Sequence, residues 1–172
     1  MKIFLLGLPG SGKTTLGKEL ANSLGISFVD LDEEVEKTEG MTIREIFEQK
    51  SEDHFRKAEA DHLARWCALS KDFVMAAGGG TPCFFDNLSV INKSGQSIFL
   101  DVPPEVIAGR MKNTMISSRP LFARTEVARL EEKIAAIRTR RIDFYRQAHH
   151  VFSGEAITAR EILEKIKKES QR

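Results

Sequence analysis

The chain has 172 residues, 41% hydrophobic and 30% charged, a profile typical of globular proteins and unlike that of disordered or fibrous chains. Lysine and arginine number 26 against 25 for aspartate and glutamate, which excludes a general electrostatic attraction to nucleic acid or anionic membranes. The length fits one domain over residues 1–172. Because the sequence contains no recognisable signal peptide, membrane span or metal-binding cysteine pattern, we expect a cytoplasmic protein with reduced thiols.

The first half of the chain predicts strands and helices in alternation. Leucines at helical spacing, followed by Gly25, indicate that the first helix ends there. Thr42 and Glu45 form a capping-box pattern that predicts another helix start. In chain order we expect a strand at residues 2–6, a helix at about 13–24, a strand at 26–29 and helices at about 42–49 and 52–69.

The second half continues the alternation. The glycine triplet at residues 78–80 predicts the end of a buried strand, Pro104 suits the first turn of a helix, and Thr158 with Glu161 forms a second capping box. The expected elements are strands at 73–77, 97–101 and 149–152, and helices at about 103–113, 126–147 and from 158 onward. Five strands alternating with helices predict an α/β fold in three layers, with a parallel sheet whose carboxyl edge binds ligands.

Residues 7–14 read Gly-Leu-Pro-Gly-Ser-Gly-Lys-Thr and match the phosphate-binding loop pattern G-x-x-x-x-G-K-[ST]. They follow a predicted strand and open a predicted helix, as that loop requires. Its glycines let backbone N–H groups surround phosphate oxygens, the helix N-terminus adds positive potential, and Lys13 bridges the terminal phosphates. Thr14 is expected to bind Mg²⁺ through its hydroxyl. The expected nucleotide-binding residues here are Gly10, Ser11, Gly12, Lys13, Thr14 and Thr15.

The phosphate-binding loop alone does not distinguish a kinase from a GTPase, an ATPase motor or a nucleotide-binding module. The guanine-reading pattern N-K-x-D of GTPases is absent, since Asn92 and Lys93 are followed by Ser94 and Gly95. Nothing in the sequence suggests a multidomain motor. A small-molecule kinase that uses ATP is therefore favoured, with a non-catalytic ATP-binding module as the alternative.

Beyond the loop, the chain resembles the shikimate kinase family from about residue 2 to residue 166. Five motifs in the family's order carry this resemblance: Phe28 to Asp32, Phe55 to Glu59, Ala77 to Gly80, Arg119 to Leu121 and Arg141 to Tyr145. The resemblance implies Mg²⁺-dependent transfer of the γ-phosphoryl group of ATP to the 3-hydroxyl of shikimate. It also implies a P-loop kinase fold with a helical substrate-binding region at about 32–63 and a mobile lid at about 112–124.

The resemblance assigns the acceptor site. Arg56 and Arg141 would bind the shikimate carboxylate, for which a planar guanidinium is suited, and Asp32 would orient the attacking hydroxyl and accept its proton. Backbone N–H groups of Gly78, Gly79 and Gly80 would also contact the substrate. On the residues alone, each arginine is equally compatible with a surface position, and the glycines with a strand end.

The resemblance also assigns the remaining cations and the metal. Arg119 on the lid would join Lys13 and Asp32 as a catalytic residue, and Arg110 would lie beside the adenine, although a cation at a helix end explains Arg110 nearly as well. Asp30 would bind Mg²⁺ through a water molecule, with a helix N-terminal acid as the alternative. We expect a monomer that binds neither nucleic acid nor membrane.

The sequence departs from the family at three places. Asp143 stands where the family usually has proline, which leaves Arg138 as a rival to Arg141 because the two share a helix face. A proline at the loop position of Pro9 also occurs in gluconate and adenylate kinases. Gluconate and nucleoside monophosphates therefore stay open as alternative acceptors. No residue of the segment 153–158 maps onto an adenine contact.

Overall fold

A parallel sheet forms the centre of the computed structural model, which describes residues 1–112 and 129–169. Its strands are β1 (Lys2–Leu6), β2 (Ser27–Asp30), β3 (Phe73–Ala76), β4 (Gln96–Asp101) and β5 (His150–Ser153). Their spatial order is β2-β3-β1-β4-β5, and every neighbouring pair is parallel. The predicted five-stranded parallel sheet is confirmed.

Helices pack on both faces of this sheet. They are α1 (Lys13–Leu24), α2 (Leu31–Glu39), α3 (Ile43–Gln49), α4 (Glu52–Ala68), α5 (Asn87–Ser94), α6 (Pro104–Lys112), α7 (Leu130–Tyr145) and α8 (Ala159–Glu169). Successive side chains of a strand point to opposite faces. Ile3 and Leu5 of β1 therefore pack with α1 and α8, whereas Phe4 and Leu6 pack with α4 to α7. The three-layer α/β/α arrangement is confirmed.

A smaller apolar cluster lies beside the main layers, in the helical region after β2. Val35 of α2, Ile46 of α3 and Phe55 of α4 are buried against one another. The ring centroids of Phe47 and Phe55 lie 5.2 Å apart. These contacts hold three consecutive helices together next to the carboxyl edge of the sheet.

The signals for helix ends are confirmed. Gly25 ends α1 with a φ of 66°. Thr42 accepts a hydrogen bond from the backbone of Glu45, whose side chain accepts one from the backbone of Thr42. Thr158 and Glu161 make the same exchange at the start of α8. Local side-chain chemistry thus defines these boundaries.

The residue pattern did not predict α2 and α5 as separate helices, although the resemblance implied a helical region from about residue 32. In α2, only Leu31 and Val35 are buried, and in α5 only Leu88 and Ile91 are large buried apolar residues. So short a run of apolar positions gives little periodicity to read. The strand β2 also begins and ends one residue later than predicted.

The carboxyl ends of the strands meet at one edge of the sheet. Leu5 near the end of β1 lies opposite Ala76 of β3, and Asp30 at the end of β2 lies opposite the same residue. The phosphate-binding loop, Asp30 and the glycine triplet are therefore brought to one edge. Among the described helices, none combines the length and apolar character needed to cross a bilayer.

Candidate active site

The loop between β1 and α1 is built to receive an anion. Gly12, directly before α1, has a φ of 100°, a left-handed conformation that residues with a Cβ rarely adopt. The Lys13 ammonium is held across the loop, donating hydrogen bonds to the carbonyl oxygens of Gly7 at 2.9 Å and Leu8 at 3.0 Å. The buried Ser11 Oγ has no hydrogen-bond partner among the described residues. A hydroxyl, an ammonium and a helix N-terminus thus lie together.

Asp30 connects this loop to the helical region. Its Oδ2 accepts a hydrogen bond from Thr14 Oγ1 at 3.0 Å, and its Oδ1 accepts one from the backbone N–H of Asp32 at 3.1 Å. The second contact caps the N-terminus of α2. The interpretation of Asp30 as a helix N-terminal acid is confirmed, whereas its contact with Mg²⁺ stays a prediction.

Two carboxylates approach the first glycine of the triplet. A Cβ placed on Gly78 would lie 2.5 Å from Glu59 Oε1 and 2.7 Å from Asp32 Oδ1, so a larger residue would displace one of these carboxylates. Glu59 is fully buried and accepts hydrogen bonds from Thr81 Oγ1 and from Arg56 Nη1, the latter at 3.0 Å. Asp32 Oδ1 is buried without a partner among the described residues. Its capacity to accept a hydrogen bond is therefore unused among the described residues.

The environment of Asp32 changes its acidity. Burial, the nearby Glu59 carboxylate and then that of Asp30 raise the pKa of Asp32 from 3.8 to about 7, while Lys13 and Arg56 oppose the shift. A carboxylate with this pKa can accept a proton near neutral pH. This acidity is compatible with the proton-accepting role predicted for Asp32, which stays a prediction.

Arg56 is buried and surrounded by oriented partners. Its Nε and Nη2 donate to Glu52 Oε1 at 3.3 and 3.2 Å, and its Nη1 donates to Glu59 Oε2. Its Cζ lies 4.4 Å from the ring centroid of Phe84. A Cβ on Gly80 would lie 2.5 Å from Nη2. Arg56 is therefore a fixed guanidinium beside the glycine triplet, and the surface alternative is wrong.

Arg141 lies on the other side of the triplet. A Cβ on Gly79 would lie 3.2 Å from Arg141 Nη1 and 2.8 Å from Pro9 Cδ in the phosphate-binding loop. Arg141 Nη1 is buried and lacks a hydrogen-bond partner among the described residues. Burial raises the pKa of Tyr145 above its ordinary value, although the charge of Arg141 and a hydrogen bond with its guanidinium oppose the shift. The Tyr145 hydroxyl donates to the Gly79 carbonyl. Arg141 thus directs an unsatisfied donor towards the glycines.

Arg138, the sequence rival of Arg141, is already engaged. It forms a bidentate ion pair with Asp101 at the end of β4. The distance from Nε to Oδ1 is 3.1 Å and that from Nη2 to Oδ2 is 3.0 Å. Such pairs fix orientation as well as charge. The pair anchors α7 to the sheet one helical turn before Arg141. Arg138 therefore positions the helix that carries Arg141.

This anchor leads to a first testable expectation. The change Arg138→Met should raise the KM for the acceptor roughly threefold to tenfold, because a charge-assisted contact that orients Arg141 is lost and only part of that loss reaches the ligand. Asp101→Asn should act similarly, and the double variant should be little worse than either single one. Arg140→Met removes an exposed arginine of the same helix and serves as the control. Additive effects in the double variant would refute the coupling.

Arg110 joins the phosphate-binding loop to the segment after β5. Its Nη1 donates to the carbonyl oxygen of Ser11 at 3.3 Å, and its Nη2 donates to that of Glu155 at 2.6 Å. The guanidinium is thus next to the loop and to the segment 153–158. Its adenine contact stays a prediction.

One cavity of about 1010 Å³ connects these groups. It is lined by the phosphate-binding loop, Asp30, Asp32, Arg56, the glycine triplet, Arg110 and Arg141. The predicted lid after Lys112, with Arg119, lies outside the described residues. The structure therefore brings together every other residue predicted for the site.

Glu59 and Phe84 were missed as site residues. Glu59 is three residues after Arg56 in a predicted helix, a spacing at which opposite charges pair, so a signal for it existed. Nothing in the sequence indicates that Phe84 lies against Arg56, because β3 and the glycine triplet separate them along the chain. Both contribute to the setting of Arg56.

The fold and cavity define a class of protein. A phosphate-binding loop that faces a second polar site across one cavity, at the carboxyl edge of a parallel sheet, is the arrangement of a P-loop small-molecule kinase.

Comparison with known proteins identifies the family. The sequence profile described as shikimate kinase matches residues 9–171. The shikimate kinase of Phocaeicola vulgatus is 38% identical over 91% of this chain and 88% of its own length. A crystal structure of shikimate kinase from Bacteroides thetaiotaomicron superposes with a TM-score of 0.88 at 31% identity, covering 100% of this chain and 99% of that one. A structure of shikimate kinase from Acinetobacter baumannii in complex with shikimate superposes with a TM-score of 0.85 at 33% identity. It covers 97% of this chain and 90% of that one. The chain belongs to the shikimate kinase family.

Proposed function

We propose that this protein transfers the γ-phosphoryl group of ATP to the 3-hydroxyl of shikimate, giving shikimate 3-phosphate and ADP. The main support for this proposal is that two buried atoms near the glycine triplet, Asp32 Oδ1 and Arg141 Nη1, both lack a hydrogen-bond partner among the described residues. They lie in the same cavity as the phosphate-binding loop. Buried polar atoms are normally hydrogen-bonded, so an acceptor and a donor left open there favour a polar anionic ligand.

The acceptor would be held by two guanidinium groups at one end and by the Asp32 carboxylate at the other. Arg56 and Arg141 would bind the shikimate carboxylate, with the N–H groups of Gly79 and Gly80 close by. Asp32 would accept a hydrogen bond from the reacting hydroxyl and then its proton. Because the pKa of Asp32 is about 7, it can take up that proton at physiological pH.

The phosphoryl donor would occupy the loop end of the cavity. Gly10 to Thr15 would surround the phosphates of ATP, with the Lys13 ammonium on the terminal ones and Arg110 towards the base. Negative charge spreads over the phosphoryl group during transfer, and fixed cations stabilise it. Arg119 would add a second cation from the lid.

The oxygens of Thr14 and Asp30 fit a Mg²⁺ ion. A hydroxyl and a carboxylate 3.0 Å apart are hard ligands, and Mg²⁺ commonly uses one or two such side chains together with water and substrate phosphates. Thr14 would bind directly and Asp30 through water. The ion would neutralise phosphate charge when bound.

The assay that tests this function measures ADP release with three acceptors in parallel. We expect turnover with shikimate and at most background rates with gluconate and with AMP. Turnover of either alternative without shikimate turnover would replace the proposal. ATP binding without turnover of any acceptor would favour a non-catalytic module.

We also propose that residues 1–172 act as one domain and as a monomer. All the residues assigned above belong to one chain, and those that the structure describes line one cavity, so no second copy is needed to complete it. Sedimentation velocity at assay concentration tests the oligomeric state.

A further inference from the structure

The turn after the glycine triplet has an unusual backbone. A short 3-10 turn, Thr81–Cys83, is followed by Phe84 and then by two residues with positive φ, Phe85 at 49° and Asp86 at 57°. Residues other than glycine rarely adopt this conformation, and two in succession that include a phenylalanine are rarer still. Strain of this kind persists where surrounding contacts hold it in place.

Asn87 supplies those contacts from the start of α5. Its backbone N–H donates to the carbonyl oxygen of Phe84 at 3.0 Å, and its buried side-chain amide donates to the carbonyl oxygen of Thr81, also at 3.0 Å. The turn is therefore fastened at both ends by one residue. These bonds restrain the backbone that carries the Phe84 ring.

The turn and Arg56 form a closed circuit of contacts. Thr81 donates to Glu59, Glu59 accepts from Arg56, and the Arg56 guanidinium lies against the Phe84 ring with 4.4 Å from Cζ to the centroid. An aromatic ring attracts a guanidinium and stacks against its plane. Phe84 also stays 37% exposed, so apolar burial alone does not account for its placement.

We propose that Phe84 is a positioning residue for the acceptor, because its ring holds the Arg56 guanidinium in the orientation that binds a carboxylate. This inference rests on the proposed function of Arg56. Five N–H groups belong to a guanidinium, and three hydrogen bonds to Glu52 and Glu59 use only part of them. The guanidinium also lies over the ring of Phe55, with 5.0 Å from Cζ to the centroid, but the Phe84 ring is nearer, at 4.4 Å. The nearer ring fixes the plane in which the remaining N–H groups meet the ligand.

The kinetic test compares Phe84→Leu with Phe84→Trp. The leucine variant should raise the KM for shikimate roughly 3- to 30-fold, the range of a cation–π contact, with kcat and the KM for ATP within twofold. The tryptophan variant, which keeps an aromatic face, should restore most of the affinity. With the methyl ester of shikimate, which lacks the anionic carboxylate, the leucine effect should disappear.

Phe85→Leu is the matched control. Phe85 is 61% exposed in the same strained turn, and its ring has no cation contact among the described residues. The control should behave like the parent protein. Equal effects at Phe84 and Phe85, an unchanged KM in Phe84→Leu, or a parallel fall in kcat and ATP affinity would overturn the proposal.

A measurement without substrate separates this inference from the proposed function. The side-chain Nε–H signal of Arg56 in an NMR spectrum senses the ring current of Phe84, so it should shift in Phe84→Leu and stay in place in Phe85→Leu. If shikimate is not turned over but this pattern is found, the positioning of Arg56 stands and the assigned acceptor fails. If the signal does not move, the positioning itself is wrong.

Discussion

Replacing Asp32 by asparagine is expected to lower kcat roughly 10²- to 10⁴-fold, the range for loss of a positioned proton acceptor. Asparagine keeps the shape of the side chain but cannot take the hydroxyl proton. The KM for ATP should stay within twofold, because Asp32 is assigned to the acceptor and not to the nucleotide. Steady-state kinetics with each substrate varied in turn measures both quantities.

Asp61→Asn is the control for this change. Asp61 is exposed on α4, so the same chemical replacement there should leave both kinetic constants unaltered. A kcat for Asp32→Asn within threefold of the parent value would show that Asp32 is neither the proton acceptor nor the group that orients the hydroxyl.

Asp32→Asn should also be more stable than the parent protein, and the increase in its free energy of unfolding should depend on pH. The pKa of Asp32 is about 7 in the folded chain and 3.8 ordinarily, so between these values the unfolded chain releases a proton that the folded chain retains. The free energy of unfolding of the parent protein therefore falls as pH rises through this window. The cost of ionising the buried Asp32 is fully present above pH 7. Asparagine never ionises, so Asp32→Asn should increase the free energy of unfolding by about 2–4 kcal/mol at pH 8 and by almost nothing at pH 4. Urea unfolding at both values checks this, and an equal difference at each would contradict it.

Changing Arg56 to lysine is expected to raise the KM for shikimate roughly 10- to 100-fold, since lysine cannot form two parallel hydrogen bonds to a carboxylate and about 1.5–3 kcal/mol is lost. The KM for ATP should change less than twofold. Lysine is preferable to alanine here because Glu59 is fully buried, and removing its cation entirely would destabilise the fold.

Arg44→Lys provides the matched comparison. Arg44 pairs with Glu48 on the exposed side of α3, with its Nε at 2.9 Å from the carboxylate, and it does not line the cavity. The kinetics of that variant should equal those of the parent. Comparable losses in the affinities for shikimate and ATP in Arg56→Lys would contradict the assignment of Arg56 to the acceptor.

Much of the fold could be predicted from short-range signals. The apolar runs of β1, β3 and β4 end at glycine or acidic residues, and the capping boxes at Thr42 and Thr158 begin helices as expected. The residues of α2 give no helical pattern of their own, so only the resemblance indicated a helical region there. Its buried face consists of two side chains, too few for a periodic pattern.

The site was predictable where the chemistry is local and not where it is tertiary. The phosphate-binding loop is contiguous, so its pattern can be read directly. The division of roles between Arg138 and Arg141 depends on Asp101, which lies 37 residues before Arg138 on β4. The burial of Glu59 likewise depends on Gly78 and Thr81 reaching it from another element, and a charged residue on a helix is usually solvated.

We propose that Asp32, Arg56 and Arg141 together form a binding site for shikimate across the cavity from the phosphate-binding loop. Isothermal titration of the protein with shikimate, with and without ADP and at two temperatures, tests it most directly. We expect saturable binding of one shikimate per chain, weakened at least tenfold in Arg56→Lys. No saturable heat under any of these conditions would contradict the account.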